Sequence, residues 1–153
     1  MKRFLLLFLA TVVTAWSASA QLSVSQLRTE HLTDPVGIGE RRPLLSWEVS
    51  DASRRGVTQS AYEIRVKSGG RTVWRTGKVA SAESAGVFYD GTPLTSDTRY
   101  TWQVRVWDDR GKASAWSRPA FWRTGLFDVG EWQARWIEPA VSDDLAAMFR
   151  RTF

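Results

Sequence analysis

The sequence predicts an all-β protein, and three observations lead to that prediction. From Leu22 to Thr124 the apolar residues recur with a period of two, and no window of helical length carries a helical period. Clusters of turn-forming residues interrupt this alternation at short intervals. About seven segments of strand length result, which is typical of a β-sandwich of the immunoglobulin or fibronectin type III kind.

The expected elements follow directly from these patterns. In chain order, the predicted strands are Ser23–Arg28, Leu44–Val49, Ala61–Lys67, Thr72–Arg75, Val87–Tyr89, Arg99–Asp108 and Phe121–Thr124. The turn-rich pieces between them are Asp34-Pro35, Asp51–Gly56, Ser68–Gly70, Asp90–Pro93 and Asp108–Gly111. No segment in this part of the chain is expected to be helical.

Two strands indicate which of their faces enters the core. Successive side chains of a strand point to opposite sides, so one apolar set and one polar set can be separated in each. The predicted core set is Tyr62, Ile64, Val66, Tyr100, Trp102, Val104 and Val106. The opposite set is Glu63, Arg65, Lys67, Thr101, Gln103, Arg105 and Trp107, and we expect this face to meet water or a neighbouring domain.

A leucine six residues before a tyrosine adds a more specific signal. Leu94 and Tyr100 have this spacing, and Tyr100 opens an alternating strand. The arrangement is typical of the tyrosine corner of sandwich domains, in which the phenol hydroxyl bonds to backbone upstream. Trp47 is the expected tryptophan between the sheets, with burial contributing about 2 to 3 kcal/mol.

The two ends of the chain differ from this pattern. Residues 1–20 combine a basic start, an apolar stretch and the small residues Ala18-Ser19-Ala20, which predicts a signal peptide and a mature start at Gln21. We expect the sandwich to span residues 21–125. Residues 126–153 are interpreted as a connector followed by the truncated start of a second β-sandwich domain, with a strand beginning near Met148.

The charge of the chain is mildly basic once the leader is set aside. Without Lys2 and Arg3, 19 basic residues remain against 16 acidic ones. The longest basic runs are pairs such as Arg41-Arg42, and the other cations are dispersed along strands, which we interpret as solvated strand faces. No nucleic-acid partner is expected, and no membrane partner after cleavage of the signal peptide; we expect an exported, periplasmic or extracellular protein.

Composition also excludes several kinds of chemistry. Cysteine is absent, which excludes disulfides, thiolate zinc sites and thiol nucleophiles. With His31 as the single histidine, neither a histidine metal cluster nor a Ser-His-Asp site is expected. Asp108-Asp109-Arg110-Gly111 is better explained as a hairpin turn than as a calcium or glycosidase site. We therefore predict no catalytic residue, no metal and no cofactor.

Eight tryptophans follow the signal peptide, and a sandwich core of this size holds two or three. We expect Trp74, Trp107, Trp116 or Trp122 to lie at least partly outside the core. Such residues can form a contact with another domain, belong to ordinary packing, or stack on sugar rings. The candidate contact residues are Trp107, Trp116 and Arg105, and the expected structural residues are Trp47, Tyr100 and Trp102.

The order and spacing of many short motifs resemble the N-terminal region of bacterial α-L-rhamnosidases. The motifs extend over the whole chain after the signal peptide, and they include Leu27–Glu30, Pro43–Trp47, Trp74–Val79, Tyr89–Gly91, Tyr100–Asp108, Trp116-Ser117, Trp132–Ile137 and Phe149–Phe153. Two motifs depart from the usual family pattern: Trp74–Gly77 reads Trp-Arg-Thr-Gly in place of Trp-Asp-Ser-Gly, and Leu44 stands where an arginine often follows the proline.

This resemblance implies a fibronectin type III-like accessory domain in front of a second β-sandwich and an α/α-barrel. In the family, the barrel carries the acidic residues that hydrolyse terminal α-L-rhamnose with inversion, and none of them falls within residues 1–153. The resemblance implies a scaffolding role against later domains of the same polypeptide. The alternative is a carbohydrate-binding or adhesion module that holds rhamnose-containing glycans through outward tryptophans.

Overall fold

The computed structural model describes residues 22–135 and Arg150. The predicted signal peptide and most of the predicted strand at Met148–Phe153 lie outside these residues. The described part contains a short 3₁₀ turn at Val129–Glu131 and the following strands: β1 Ser23–Thr29, β2 Val36–Ile38, β3 Leu44–Ser50, β4 Gln59–Ser68, β5 Arg71–Arg75, β6 Val87–Phe88, β7 Arg99–Asp108 and β8 Ala120–Thr124.

The seven predicted strands are all present, and the bounds of β7 are those predicted. The other six differ from the prediction by at most two residues at either end. Strand β2 was not predicted, because three residues are too few to show an alternating pattern. Its central residue, Gly37, has a φ of 80°, a backbone conformation that favours glycine.

The strands form two sheets with the topology expected of an immunoglobulin-like sandwich. One sheet has the order β1-β3-β6 and the other has the order β2-β8-β7-β4-β5. All neighbouring strands are antiparallel except β2 and β8, which pair in parallel. The longest pairing joins β4 to β7, where Ile64 lies opposite Val104 and Glu63 lies opposite Arg105. The all-β prediction is therefore confirmed.

The core lies between the sheets and contains the residues that the alternation placed there. Tyr62, Ile64 and Val66 of β4 are buried together with Tyr100, Trp102, Val104 and Val106 of β7. Trp47 is also buried, and its indole N–H donates to the Gln59 side chain at 3.0 Å. The expectation that Trp122 lies partly outside the core is wrong, because its side chain is 0% exposed.

The tyrosine corner is present at the start of β7. The Tyr100 hydroxyl accepts a hydrogen bond from the backbone N–H of Thr95 at 2.9 Å, and Leu94 is buried beside it. Trp122 stacks on the Tyr100 ring with centroids 5.4 Å apart, which explains why Trp122 is needed inside the sandwich. The corner thus fixes the point where the chain crosses from one sheet to the other.

The turn after β7 has the predicted hairpin chemistry. The Asp108 carboxylate accepts hydrogen bonds from the backbone N–H groups of Arg110 and Lys112, at 3.0 and 2.7 Å, and Gly111 has a φ of 76°. These bonds hold the pKa of Asp108 below its usual value, and the bond from Lys112 contributes most. In the part of the chain that the structure describes, no three histidine, cysteine or acidic side chains converge on a place for a metal ion.

Among the described residues, no helix is both long enough and apolar enough to cross a membrane.

Candidate functional site

The outward side of the five-stranded sheet gathers charged residues that are far apart in the sequence. Because side chains alternate along a strand, the residues between the core positions of β4 and β7 all point outward. Cross-strand neighbours on this side are Ala61 with Trp107, Glu63 with Arg105 and Arg65 with Gln103. We define the basic face as Glu63 and the five cations around it, which are Arg65, Lys67, Arg75, Lys78 and Arg105.

Cations and indole rings alternate across the basic face. The Lys78 ammonium lies 4.7 Å from the centroid of the Trp107 ring, and the Arg105 guanidinium lies 5.0 Å from the same ring. Arg105 is also 4.9 Å from the Trp116 ring, which Arg65 approaches to 4.2 Å. The five side chains thus form a continuous ladder, and each tryptophan contacts two cations.

Trp116 reaches this ladder because the chain runs beside β7 in an irregular but fully bonded way. The backbone N–H groups of Ser114 and Ser117 donate to the carbonyls of Val106 and Val104, both at 2.8 Å. The N–H groups of Val106 and Val104 in turn donate to the hydroxyls of Ser114 and Ser117, at 3.0 and 3.1 Å. The serine hydroxyls take the place of backbone carbonyls in a regular strand, which explains the small polar residues around Trp116.

Glu63 is the buried anion of the basic face, with a side chain only 3% exposed. It accepts hydrogen bonds from Nε of Arg75 at 2.5 Å and from Nε of Arg105 at 2.7 Å. Burial raises the pKa of Glu63, but the two arginine hydrogen bonds and charges outweigh burial and leave the pKa below its usual value. Glu63 is therefore ionised near neutral pH and ties β5 to β7.

A second polar connection continues the network toward Trp116. Nε and Nη2 of Arg65 donate to Oε1 of Gln103 at 3.1 and 2.8 Å, and Nε2 of Gln103 donates to the Ser117 carbonyl at 2.7 Å. The orientation of the Arg65 guanidinium is thus fixed by hydrogen bonds in its plane and by the indole below it.

The structure brings together the three predicted contact residues and separates them from the predicted structural ones. Trp107, Trp116 and Arg105 are neighbours in the ladder and are half-buried. Trp47 and Trp102 lie in the core. Whether the three ladder residues contact a domain or a sugar stays a prediction.

Sequence reasoning missed five members of the basic face. None of Glu63, Arg65, Lys67, Arg75 and Lys78 was a candidate contact residue, yet Glu63 is buried and the four cations lie on one face with Arg105. The available signal was the alternation itself, since it directs every second residue of β4 and β7 to the same side. The cations are dispersed along the sequence, so their clustering in the folded sheet was not recognised.

A different surface lies where the chain leaves the sandwich. Leu126, Val129 and Trp132 are large apolar residues whose side chains are 44%, 92% and 61% exposed, and we call them the exit patch. They line one depression together with Phe127 and Asp128. Trp74, by contrast, is partly buried against the core.

The backbone under the exit patch is held by specific bonds. The Glu131 carboxylate accepts hydrogen bonds from the N–H of Phe127 at 3.1 Å and from the Ser96 hydroxyl at 2.5 Å. The Ser96 bond is the main reason that the pKa of Glu131 is lowered. Arg41 lies 4.6 Å above the Phe127 ring and 3.4 Å from the Asp128 carboxylate. The exit segment is therefore fastened to the domain.

Comparison with known proteins gives a consistent result. A sequence profile described as Rha78A-like, N-terminal immunoglobulin domain matches residues 24–128. An α-L-rhamnosidase of Streptomyces avermitilis is 44% identical over 121 residues, which cover 76% of this chain and 12% of that protein. An α-L-rhamnosidase of Formosa agariphila is 39% identical over 113 residues, which cover 69% of this chain and 12% of that protein.

A solved structure agrees with these sequence matches. The crystal structure of the Streptomyces avermitilis α-L-rhamnosidase, complexed with L-rhamnose, superimposes with a TM-score of 0.73 and 43% identity. The superposition covers 78% of this chain and 12% of that one. The chain therefore spans about an eighth of the length of the relatives that it matches.

Proposed function

The chain belongs to the family of N-terminal immunoglobulin-like domains of α-L-rhamnosidases, and we propose that it is a scaffolding module, itself without catalysis, of a longer exported enzyme that hydrolyses terminal α-L-rhamnose. The substrate class comes from the names of the relatives, since the family match places this chain in their N-terminal domain. The reaction itself belongs to other parts of the longer polypeptide.

The exit patch is the observation that carries the scaffolding role. Three large apolar side chains are exposed together at the point where the chain continues beyond the sandwich. Clustered exposed apolar residues of this kind mark contact surfaces, because their burial removes apolar area from water. The bonds made by Glu131 and Arg41 hold this surface in one position, as docking of a following domain requires.

Substitution of Val129 tests the scaffolding role in the full-length enzyme. Val129→Asp should destabilise that enzyme by about 1 to 3 kcal/mol, because docking would bury an unpaired charge. In the 153-residue chain alone the same change should have little effect, since the side chain is 92% exposed. Thermal unfolding measures the stability of both proteins, and rhamnoside hydrolysis after heating measures the stability of the full-length enzyme a second way.

Ala52→Asp is the matched control, because Ala52 is an exposed residue in the turn after β3 and the change adds the same charge. It should be neutral in both proteins. Equal melting temperatures of the Val129→Asp and Ala52→Asp enzymes would contradict docking through the exit patch.

Export is part of the proposal and has its own support. The basic start, the apolar stretch and Ala18-Ser19-Ala20 form the three regions of a secretory signal. The mass of the exported product checks this, since the mature chain should begin at Gln21.

Sugar stacking on Trp107 or Trp116 is the second candidate, and the ladder argues against it as the main role. A sugar ring stacks on an open indole face, whereas each of these rings already contacts two cations. Any glycan contact at this place would first meet positive charge.

A further inference from the structure

We propose that the basic face binds an anionic polysaccharide, by ionic contacts between its five cations and the carboxylate or sulfate groups of the glycan. This choice of a glycan among polyanions rests on the proposed function, since the module would belong to a carbohydrate-active enzyme. The geometry and charge of the face carry the rest of the inference.

The basic face has an uncompensated positive charge. Its five cations surround one carboxylate, Glu63, which already binds Arg75 and Arg105. Arg65 and Arg75 lie directly opposite each other on the neighbouring strands β4 and β5. Like charges in directly opposed positions destabilise a sheet, and a bound anion removes that cost.

Hydrogen-bond donors remain directed to solvent around this charge. The Arg75 side chain is 59% exposed and bonds Glu63 through Nε, which leaves its terminal nitrogens at the surface. Arg65 and Arg105 contact indole rings and use their Nε and Nη2 nitrogens for Gln103 and Glu63, so a carboxylate or sulfate would bind their remaining Nη1 donors. The ladder and a glycan anion can therefore use the same side chains at once.

The ladder also reduces the entropic cost of binding. Free lysine and arginine side chains lose rotamer freedom when they bind a ligand. Here Arg65, Arg105 and Lys78 are already held against indole rings, and Gln103 and Glu63 fix the two arginines further. The two arginines stand on the neighbouring strands β4 and β7, whose backbones lie about 4.8 Å apart in a sheet.

An anionic glycan fits this face better than a protein does. Protein contact surfaces have an apolar centre from which charged residues are depleted. The exposed large apolar residues of the described part are Leu32, Val36, Phe88, Leu126, Val129 and Trp132, and none of them lies on β4, β5 or β7. A neutral sugar is disfavoured because the indole rings are already engaged by cations.

Binding assays with four polymers test the proposal. The chain from Gln21 onward is titrated with polygalacturonate, dextran sulfate, neutral dextran and duplex DNA, at low and at physiological salt. We expect polygalacturonate or dextran sulfate to bind, with affinity falling as salt screens the contacts, and neutral dextran not to bind. Preference between the first two identifies the anion as carboxylate or sulfate.

Charge removal on the face separates specific binding from net charge. The double variant Lys67→Gln and Lys78→Gln should weaken binding at least tenfold. Arg28→Gln with Arg55→Gln removes the same charge from β1 and from the loop after β3, and should change affinity less than twofold. Equal weakening by the two pairs, binding to DNA alone, or no binding to either anionic polysaccharide would overturn the proposal.

The glycan proposal and the scaffolding proposal can be contradicted independently of each other. The glycan assay uses the chain alone and changes Lys67 on β4 and Lys78 after β5, whereas scaffolding is tested at Val129 in the full-length enzyme. If Val129→Asp left the stability of the full-length enzyme unchanged, docking through the exit patch would be contradicted. The glycan affinity measured on the chain alone would not be affected by that result.

Discussion

Strands β4 and β7 have two faces that are stabilised by different forces. On the inner face, Ile64 lies opposite Val104 and Val66 lies opposite Trp102, and all four are buried. On the outer face of the same strands, Glu63 lies opposite Arg105 within a network of ion pairs and cation–π contacts.

The difference between these faces concerns which conditions can disturb them. Burial of apolar area depends little on pH or salt, whereas ion pairs and cation–π contacts depend on charge and are screened by salt where they are exposed. The inner face therefore supplies most of the stability of the sandwich. The outer face adds less stability and leaves positive charge available for other contacts.

Two tryptophans of β7 give the largest test of this comparison. Trp102→Ala should lower the free energy of unfolding by about 3 to 5 kcal/mol, because it opens a cavity in the core. Trp107→Ala makes the same change on the outer face of the same strand and should cost about 1 to 2 kcal/mol, since the ring is half exposed. Urea unfolding of both variants measures the difference, and equal losses would contradict the division between the faces.

The inner face could be predicted from sequence because its rule is local. Alternation over a few residues decides which side chains of β4 and β7 are buried, and the spacing of Leu94 and Tyr100 indicates the corner. Trp122 was misplaced because its role depends on stacking with Tyr100, a contact between residues of different strands.

The outer face could be predicted only in part, because its contacts join distant segments. The ladder needs Arg65 from β4, Lys78 from after β5 and Trp116 from beside β7. Their approach depends on strand order and register, which no single stretch of sequence contains. The burial of Glu63 likewise requires arginines from two other strands.

Substitution of Glu63 should have the next largest effect, and the size of that effect should depend on pH. Glu63→Gln should lower the free energy of unfolding at neutral pH by about 1 to 2 kcal/mol, a loss limited by the solvent exposure of its arginine partners. Because the pKa of Glu63 is lowered in the folded state, its stabilising effect is present above the unfolded pKa of about 4.3.

This effect should disappear as the pH falls through the folded pKa of Glu63. Unfolding curves of the parent and the variant should therefore converge in acid, since the glutamine side chain that replaces Glu63 does not titrate. Gln103→Ala serves as a control that disturbs the same face without removing a titrating group. A stability gap between the parent and Glu63→Gln that stays constant from neutral pH into acid would contradict the ion-pair explanation.

The smallest expected effect concerns the contact between Lys78 and Trp107 at the end of the ladder. A double-mutant cycle of Lys78→Ala and Trp107→Ala should give a coupling energy of about 0.5 to 1 kcal/mol, the usual range of an exposed cation–π contact. The coupling should decrease with added salt, because salt screens exposed charges. Lys78→Ala with Trp102→Ala is the control cycle, because Trp102 faces the opposite side of β7, and its coupling should be close to zero. A coupling of equal size in both cycles would mean that Lys78 acts through the sheet as a whole, and the outer face would then not be a set of direct contacts.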